Sequence, residues 1–242
     1  MSFKDYYEKE WLIKTSGIKD GSYDRSWRSR WEFAKSNIPN NAVVLDAACG
    51  DSVLGEFLTR EKNCIVYGVD LCEFALKLST EKGIEVKQCD ISSDRFPFDS
   101  NSLDYVTMLC CLEHIIDPVH AISEALRILK PSGKIIVTLP NAVYIGNRIK
   151  FFFGNTPLDL LHIKPGEGMH IQFFNHKNEF EKRVLGAISD IQYSVCKKKG
   201  DVKDPSKYSK VTLYIFKCLI RMWPNIFSQY THWIIEKRSE VT

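Results

Sequence analysis

The segment from Asn41 to Leu58 has the sequence Asn-Ala-Val-Val-Leu-Asp-Ala-Ala-Cys-Gly-Asp-Ser-Val-Leu-Gly-Glu-Phe-Leu. A short apolar run, Ala42–Leu45, ends at Asp46 and is followed by small residues. Apolar residues recur at helical spacing from Val53, so the pattern predicts a strand, a tight turn and a helix. Such a corner can hold a nucleotide-like ligand, because small residues admit the ligand to the backbone and the helix presents unpaired N–H groups.

The acidic end of this strand narrows the class of ligand. Dinucleotide-binding corners carry the pattern G-x-G-x-x-G, whereas here only Gly50 and Gly55 are available and Asp46 ends the strand. The Asp46 carboxylate would repel a pyrophosphate and attract a cationic amino-acid group. The ligand that this pattern implies is S-adenosylmethionine, which has an ammonium, a sulfonium and no phosphate.

The same segment resembles the first motif of class I S-adenosylmethionine-dependent methyltransferases, usually D-x-G-x-G-x-G. Gly50 keeps the second glycine, whereas Ala48 and Ser52 stand at the first and third positions. We expect these departures to weaken the motif without excluding it, because alanine is harmless wherever φ is negative. By the resemblance, the residues that contact the cofactor here are Asp46, Ala48, Gly50, Asp51 and Ser52.

The end of the second predicted strand carries another carboxylate. Asp70 follows the β-rich run Cys64–Val69 and lies 24 residues beyond Asp46. At this interval a carboxylate can accept hydrogen bonds from both hydroxyls of a ribose. We therefore predict that Asp70 binds the ribose and that Leu71 packs on the adenine face.

The resemblance continues through the third and fourth strands. Asp90 would accept a hydrogen bond from the adenine amino group, and Ile91 would wedge the ring. The segment Phe96–Ile115 contains F-P-F-x-x-x-x-x-D, a strand and L-E-H-I, and it resembles a small-molecule branch of the family. This implies that Leu109 and Cys110, at the end of the fourth strand, lie against the cofactor.

Strand and helix patterns alternate along the rest of the chain. Pro118 begins a helix, and Leu-Lys-Pro-Ser-Gly leads into a fifth strand at Lys134–Leu139. A sixth strand is predicted at Ile188–Cys196 and a last one at Gln229–Lys237. The sequence therefore predicts an α/β fold with a Rossmann-like seven-stranded sheet, mostly parallel, with an antiparallel last strand and helices on both faces.

The length and composition favour one domain. A chain of 242 residues with 44% hydrophobic content can bury one sizeable core. We expect a single methyltransferase domain over 1–242. Its predicted parts are an N-terminal helical cap (1–40), a cofactor-binding core (41–140), an acceptor-covering insertion (141–176) and the C-terminal part of the sheet (177–242). In the cap, Tyr6 and Tyr7 are candidates for a flap over the ligand, although packing on the sheet also explains them.

The eight cysteines show no C-x-x-C spacing, so neither a metal site nor a disulfide framework is expected. The first ten residues are polar, and no run of about 18 apolar residues occurs. We therefore predict a cytoplasmic protein that binds no metal.

The predicted reaction needs little from the protein beyond alignment, because the sulfonium already carries an activated methyl group. An alcohol acceptor must also lose a proton, and His114 and His170 are the candidate catalytic bases. Each histidine also has a structural interpretation. His114 could be a hydrogen-bonded residue at the start of a helix, and His170 could hold the insertion in place.

The charge distribution suggests the class of acceptor. Residues 1–140 hold 17 Lys and Arg against 21 Asp and Glu, a net −4, whereas residues 141–242 hold 16 against 9, a net +7. The insertion contributes several of these cations and two histidines. They are Arg148, Lys150, His162, Lys164 and His170. A basic cover favours an anionic small-molecule acceptor, such as a phosphorylated compound or a nucleotide-linked sugar, and no nucleic-acid partner.

The C-terminal half also carries a resemblance to methyltransferases of surface-glycan and capsule polysaccharide biosynthesis. The apolar helix predicted at Val211–Met222 contains Lys217 and Arg221. This helix either packs on the sheet or makes peripheral contact with a membrane. The oligomeric state is left open by the sequence.

Two alternatives to a methyltransferase stay open at this point. A nicotinamide-dependent oxidoreductase shares the sheet and the acidic second-strand tip, but it needs glycine where Ala48 stands. A catalytically inactive methyltransferase-like binding module is the other alternative. It would be favoured if the departures at Ala48 and Ser52 abolish cofactor binding.

Overall fold

A computed structural model describes residues 2–16, 28–155 and 170–239 of the chain. Its strands are β1 Val43–Ala47, β2 Ile65–Asp70, β3 Glu85–Gln88, β4 Leu103–Leu109, β5 Leu129–Pro140, β6 Tyr193–Asp201 and β7 Tyr230–Lys237. They form one seven-stranded sheet in the order β3-β2-β1-β4-β5-β7-β6. β7 pairs antiparallel with β5 and β6, and the other neighbours pair in parallel. The predicted Rossmann-like fold with an antiparallel last strand is therefore confirmed.

Helices connect most of the strands. The α-helices of the described ranges are α1 Phe3–Ser16, α2 Arg28–Asn37, α3 Val53–Lys62, α4 Glu73–Glu81, α5 Pro118–Ile128, α6 Ile145–Phe152, α7 Glu179–Arg183, α8 Lys210–Met222 and α9 Pro224–Phe227. α5 begins at Pro118 because Asp117 caps it by accepting a hydrogen bond from the His120 backbone. Within those ranges, every helix is too short or too polar to span a lipid bilayer.

Both faces of the sheet are buried. On β1, Leu45 packs into one apolar cluster with Phe180 and Trp233, whereas the adjacent Val44 packs into a second cluster with Phe33. Successive side chains of a strand point to opposite faces of the sheet, so the two clusters lie on opposite faces. Helices cover both faces. With both faces covered, the crevice at the carboxyl ends of the strands is where a ligand is expected to bind.

The predicted boundaries of β6 were wrong. The prediction ended that strand at Cys196 and treated the charged residues after it as an exposed connection. In the structure, 197–201 continue the strand and pair with β7. β6 lies at the edge of the sheet, where lysine side chains can point to solvent and protect the free edge from pairing with another chain.

All eight cysteines are free thiols, as predicted. Cys49, Cys64, Cys89 and Cys110 are among those that are buried in the structure. Cys196 and Cys218 are exposed. The predicted N-terminal helical cap contains α1 and α2, and positions 17–27 between them lie outside the described residues.

Candidate active site

A pocket lies at the carboxyl ends of β1, β2 and β4, where the strand order reverses between β1 and β4. Ligands bind preferentially at such a switch point. The sequence-predicted cofactor residues that line it are Asp46, Ala48, Gly50, Asp51, Asp70, Leu71, Asp90, Ile91, Leu109 and Cys110. Ser52 is fully buried and is not part of the lining. The structure thus gathers in one pocket residues that are spread over about sixty positions of the sequence.

The turn after β1 is left-handed at all three glycine positions of the motif. φ is 55° at Ala48, 57° at Gly50 and 52° at Ser52. Alanine was expected to be harmless at negative φ, a condition that Ala48 does not meet. A left-handed non-glycine residue costs roughly 1–2 kcal/mol. At Gly50, an added Cβ would also lie 2.6 Å from the Trp11 ring. The turn therefore keeps a left-handed backbone at all three positions, although Ala48 and Ser52 adopt it at a cost in strain.

Asp46 places a buried anion beside this turn. Its side chain accepts a hydrogen bond from the Thr107 hydroxyl, with 2.6 Å between Oγ1 and Oδ1. Burial raises the pKa of Asp46 to about 6, while the Thr107 bond and the Arg30 charge act in the opposite direction. A carboxylate in such a dry pocket favours a cation placed next to it.

Asp70 connects the tip of β2 to the turn after β1. Its Oδ2 accepts from the Gly50 backbone N–H at 2.8 Å, and its Oδ1 accepts from the Cys72 N–H at 2.9 Å. Each carboxylate oxygen can accept more than one hydrogen bond. The carboxylate is therefore held in place by the backbone and can still accept from two neighbouring hydroxyls.

The remaining two carboxylates differ in their environment. Asp90 Oδ1 accepts from the Ser92 N–H at 2.9 Å, so the loop after β3 is ordered by its own side chain. Asp51 is buried and forms an ion pair with Lys82, with 2.7 Å between Oδ2 and Nζ. Asp51 consequently fastens the turn to the end of α4 rather than offering a free charge to a ligand.

Sequence reasoning missed part of the lining that comes from the N-terminal helices. α1 contributes Trp11 and α2 contributes Arg30, whose Nη1 donates to the Leu109 carbonyl at 3.0 Å. Tyr7, a candidate flap residue, also lines the pocket and donates from its hydroxyl to the His114 carbonyl at 3.2 Å. No local pattern predicts these contacts, because they depend on how α1 and α2 pack across the sheet.

The two predicted bases lie together at the mouth of the pocket. Nε2 of His114 and Nε2 of His170 each lie 3.9 Å from Oε1 of Glu113, and the two imidazole centroids are 4.7 Å apart. His114 lines the pocket, whereas His170 is not among its lining residues. Burial raises the pKa of Glu113 to about 8. Sequence reasoning assigned no role to Glu113, although Glu113 stands next to His114 in the L-E-H-I motif.

The predicted basic cover is only partly described. Arg148 is exposed on α6, where its Nε donates to the Val143 carbonyl at 2.5 Å. Neither Arg148 nor Lys150 lines the pocket. His162 and Lys164 lie outside the described residues.

Residues 45–137 match the family described as "Methyltransferase domain". The chain is 26% identical over 167 residues to phosphoethanolamine N-methyltransferase 2 of Caenorhabditis elegans, covering 62% of this chain and 38% of that protein. It is 31% identical over 157 residues to a ubiquinone/menaquinone biosynthesis C-methyltransferase of Rickettsia felis, covering 54% and 62%. The chain spans less than two thirds of the length of these relatives.

A solved structure shares the fold over the whole chain. It is described as the complex between the Haloferax volcanii Trm112 methyltransferase activator and the putative methyltransferase. The TM-score is 0.64 at 15% identity, and the alignment covers 100% of this chain and 99% of that one. Such low identity shows the fold alone. Together with the match of residues 45–137, it shows a methyltransferase domain within a fold that extends over the whole chain.

Proposed function

We propose that the protein transfers a methyl group from S-adenosylmethionine to a small acceptor. The observation that carries this proposal is that Asp46, Asp70 and Asp90 line one pocket of a methyltransferase domain. Asp46 would hold the ammonium, Asp70 the ribose hydroxyls and Asp90 the adenine amino group. The buried charge of Asp46 and the fixed position of Asp70 fit a ligand that is cationic at one end and carries a diol next to it.

A nicotinamide cofactor fits this pocket less well. A pyrophosphate binds to backbone N–H groups at the turn before the helix, but the Gly50 N–H already donates to Asp70. The phosphates would also lie between Asp46 and Asp70, two carboxylates that line the same pocket. Phosphates and carboxylates that share one pocket repel each other. This repulsion argues against the oxidoreductase alternative.

The acceptor side of the proposal rests on His114 and His170. The cofactor supplies an activated methyl group, so the protein has to orient the acceptor and, for O-methylation, remove its proton. His114 lines the pocket and His170 lies beside it. We favour O-methylation, with these two histidines handling the acceptor oxygen. Their assignment as catalytic bases stays a prediction.

The acceptor is proposed to be anionic. The excess of cations in residues 141–242 supports this class, and the name of one relative contains a phosphorylated compound, phosphoethanolamine. Phosphorylated compounds, nucleotide-linked sugars and other surface-glycan or capsule precursors meet this description. Changing Arg148 and Lys150 together to Glu should raise the acceptor KM at least several-fold, and more at low salt than at high salt. An unchanged KM at low salt would contradict an anionic acceptor.

Peripheral membrane contact through α8 is part of the proposal. Of the residues of this helix, only Ile220 is buried, while Val211, Tyr214 and Ile215 are more than half exposed. An apolar face with flanking lysines and arginines is typical of helices that lie on a membrane surface. Flotation with anionic vesicles, comparing the unchanged protein with Val211→Asp, tests this contact. The free thiols support the cytoplasmic location that the sequence predicted.

The central experiment is calorimetry of the purified protein with S-adenosylmethionine and, separately, with NAD. We expect saturable binding of S-adenosylmethionine and none of NAD, and the reverse result would overturn the proposal. A screen of candidate acceptors for formation of S-adenosylhomocysteine then tests turnover. Cofactor binding without turnover of any acceptor in a broad panel would favour the inactive binding module.

A further inference from the structure

Glu113, His114 and His170 form a cluster of metal-ligating side chains beside the pocket. Each residue offers one ligand atom, and these atoms all lie within 4.8 Å of one another. Two of the separations, from Glu113 Oε1 to each imidazole Nε2, are 3.9 Å. If each metal–ligand bond is about 2.1 Å long, two ligand atoms on the same ion lie at most about 4.2 Å apart. The cluster is therefore close to a binding geometry without any change in the fold.

The carboxyl group of Glu113 gives an independent reason to look for a ligand. Its side chain is 1% exposed, and Oε2 has no hydrogen-bond partner among the described residues. A buried acceptor without a donor costs roughly 1–3 kcal/mol. A cation that binds both carboxylate oxygens of Glu113 would reach Oε2 as well as Oε1 and remove that cost, which a purely structural role for Glu113 leaves unexplained.

The backbone holds the three side chains together. Glu113 and His114 belong to the short 3-10 helix Leu112–His114 directly after β4. The segment that carries His170 is fixed to this helix, because the N–H groups of Ile171 and Gln172 both donate to the Glu113 carbonyl, at 2.7 and 3.0 Å. Ligands that are positioned in advance in this way favour metal binding.

We propose that Glu113, His114 and His170 bind a divalent transition-metal ion, of the Mn²⁺ or Zn²⁺ class, at the acceptor end of the pocket. Two imidazoles and one carboxylate are a ligand set for such ions, whereas Mg²⁺ and Ca²⁺ prefer oxygen ligands throughout. Three protein ligands leave coordination positions open for a substrate. The sequence predicted no metal site because it considered cysteine spacing alone.

This inference rests on the proposed methyl transfer and specifies the acceptor as one with an oxygen that can bind the ion. The ion would lower the pKa of a coordinated acceptor hydroxyl, whose proton would pass to water. The acceptor oxygen would form a bond to the methyl carbon as the carbon–sulfur bond breaks, and that electron pair would stay on sulfur as a neutral thioether. Nε2 of a coordinated imidazole has no lone pair for a proton, so His114 and His170 would act as ligands and not as bases.

The test is direct binding of metal to chelator-treated protein. Titration with Mn²⁺, followed by the electron paramagnetic resonance signal of the free ion, should show one site per chain, and Zn²⁺ should displace the Mn²⁺. Glu113→Gln and His170→Ala should each weaken Mn²⁺ binding at least tenfold. His120→Ala is the matched control, because His120 lies on α5 and contacts the Asp94 carbonyl; this variant should bind Mn²⁺ normally.

Calorimetry with S-adenosylmethionine on the same proteins separates the two proposals. We expect cofactor affinity within about twofold of normal in all three variants, which also shows that they are folded. Failure of the unchanged protein to bind the cofactor would overturn the proposed function alone. Absent or non-stoichiometric Mn²⁺ and Zn²⁺ binding, or equal affinity in His170→Ala and His120→Ala, would overturn the metal site. If Glu113→Gln does not fold, His170→Ala decides, because that residue lies outside any helix or strand.

Discussion

The cofactor side and the acceptor side of the pocket are built in different ways. On the cofactor side, Asp70 lies at the end of its own strand and is held by N–H groups of the adjoining turns. On the acceptor side, Glu113 and His114 meet His170 from a distant part of the chain. The first arrangement depends on local sequence and the second on tertiary packing. The comparison suggests that the two sides can be disabled independently.

The largest expected effect is on the acceptor side. His170→Ala should lower turnover about a hundredfold or more and leave cofactor affinity unchanged, because His170 lies next to the acceptor end and outside the cofactor lining. Rates of S-adenosylhomocysteine formation and calorimetry with the cofactor are the two measurements. Normal turnover in His170→Ala, matched against His120→Ala, would show that the acceptor side does not depend on this histidine.

The next effect is on the cofactor side. Asp70→Ala should weaken S-adenosylmethionine binding roughly ten- to hundredfold, because a hydrogen bond to a charged group contributes about 1.5–3 kcal/mol. Asp70 also accepts from the Gly50 N–H, so part of the loss would come from the turn. Asp70→Asn serves as the matched variant, since it keeps the shape and one acceptor oxygen. An unchanged dissociation constant in Asp70→Ala would remove this residue from the ribose site.

Most of the cofactor side could be predicted because its determinants are local. A strand end, a turn and the start of a helix are all visible between Asn41 and Leu58. The backbone conformation was not predictable to the same degree: Ala48 and Ser52 have positive φ although neither is glycine. Residue type sets the cost of a conformation and does not exclude it.

The acceptor side was predicted only as isolated residues. His114 lines the pocket and His170 lies beside it, whereas their role as bases stays a prediction. Their meeting at Glu113 depends on where the insertion folds back. Arg30 was missed for the same reason, because α2 reaches the pocket by packing. The end of β6 was predicted wrongly because a run of lysines is typical of an exposed loop. Sequence patterns report local structure, and these features are long-range.

A third test uses pH to examine the cofactor side. Burial raises the pKa of Asp46 to about 6 in the unliganded pocket, so the carboxylate is ionised at pH 7.5 and mostly protonated at pH 5. Only the ionised form attracts the ammonium. The dissociation constant of S-adenosylmethionine should therefore rise about tenfold from pH 7.5 to pH 5. Calorimetry at several pH values measures this rise.

Asp46→Asn is the control for this pH dependence. The variant should bind the cofactor weakly at every pH, with a nearly flat profile from pH 7.5 to pH 5, because the amide does not titrate. Turnover is not needed for this measurement, so the acceptor side does not influence the result. A flat profile in the unchanged protein would mean that Asp46 does not hold the ammonium.

The smallest expected effect concerns the strain in the turn after β1. Ala48→Gly should stabilise the protein by roughly 1 kcal/mol. Glycine removes roughly 1–2 kcal/mol of left-handed strain and adds back about 0.4–1 kcal/mol through the greater freedom of the unfolded chain. For a chain of this length the melting temperature should rise by about 2–4 °C. Thermal and urea unfolding without ligand measure the change.

Ala47→Gly is the matched variant, one residue earlier in the same turn region. Ala47 ends β1 and is buried in the core, and it is not among the residues with positive φ, so glycine there should destabilise the protein by about 1 kcal/mol or more. Opposite signs at two adjacent alanines would show that the turn keeps its left-handed backbone against the preference of its own residues. If Ala48→Gly destabilises the protein as Ala47→Gly does, then Ala48 is not left-handed in solution, and the departure from glycine would carry no strain.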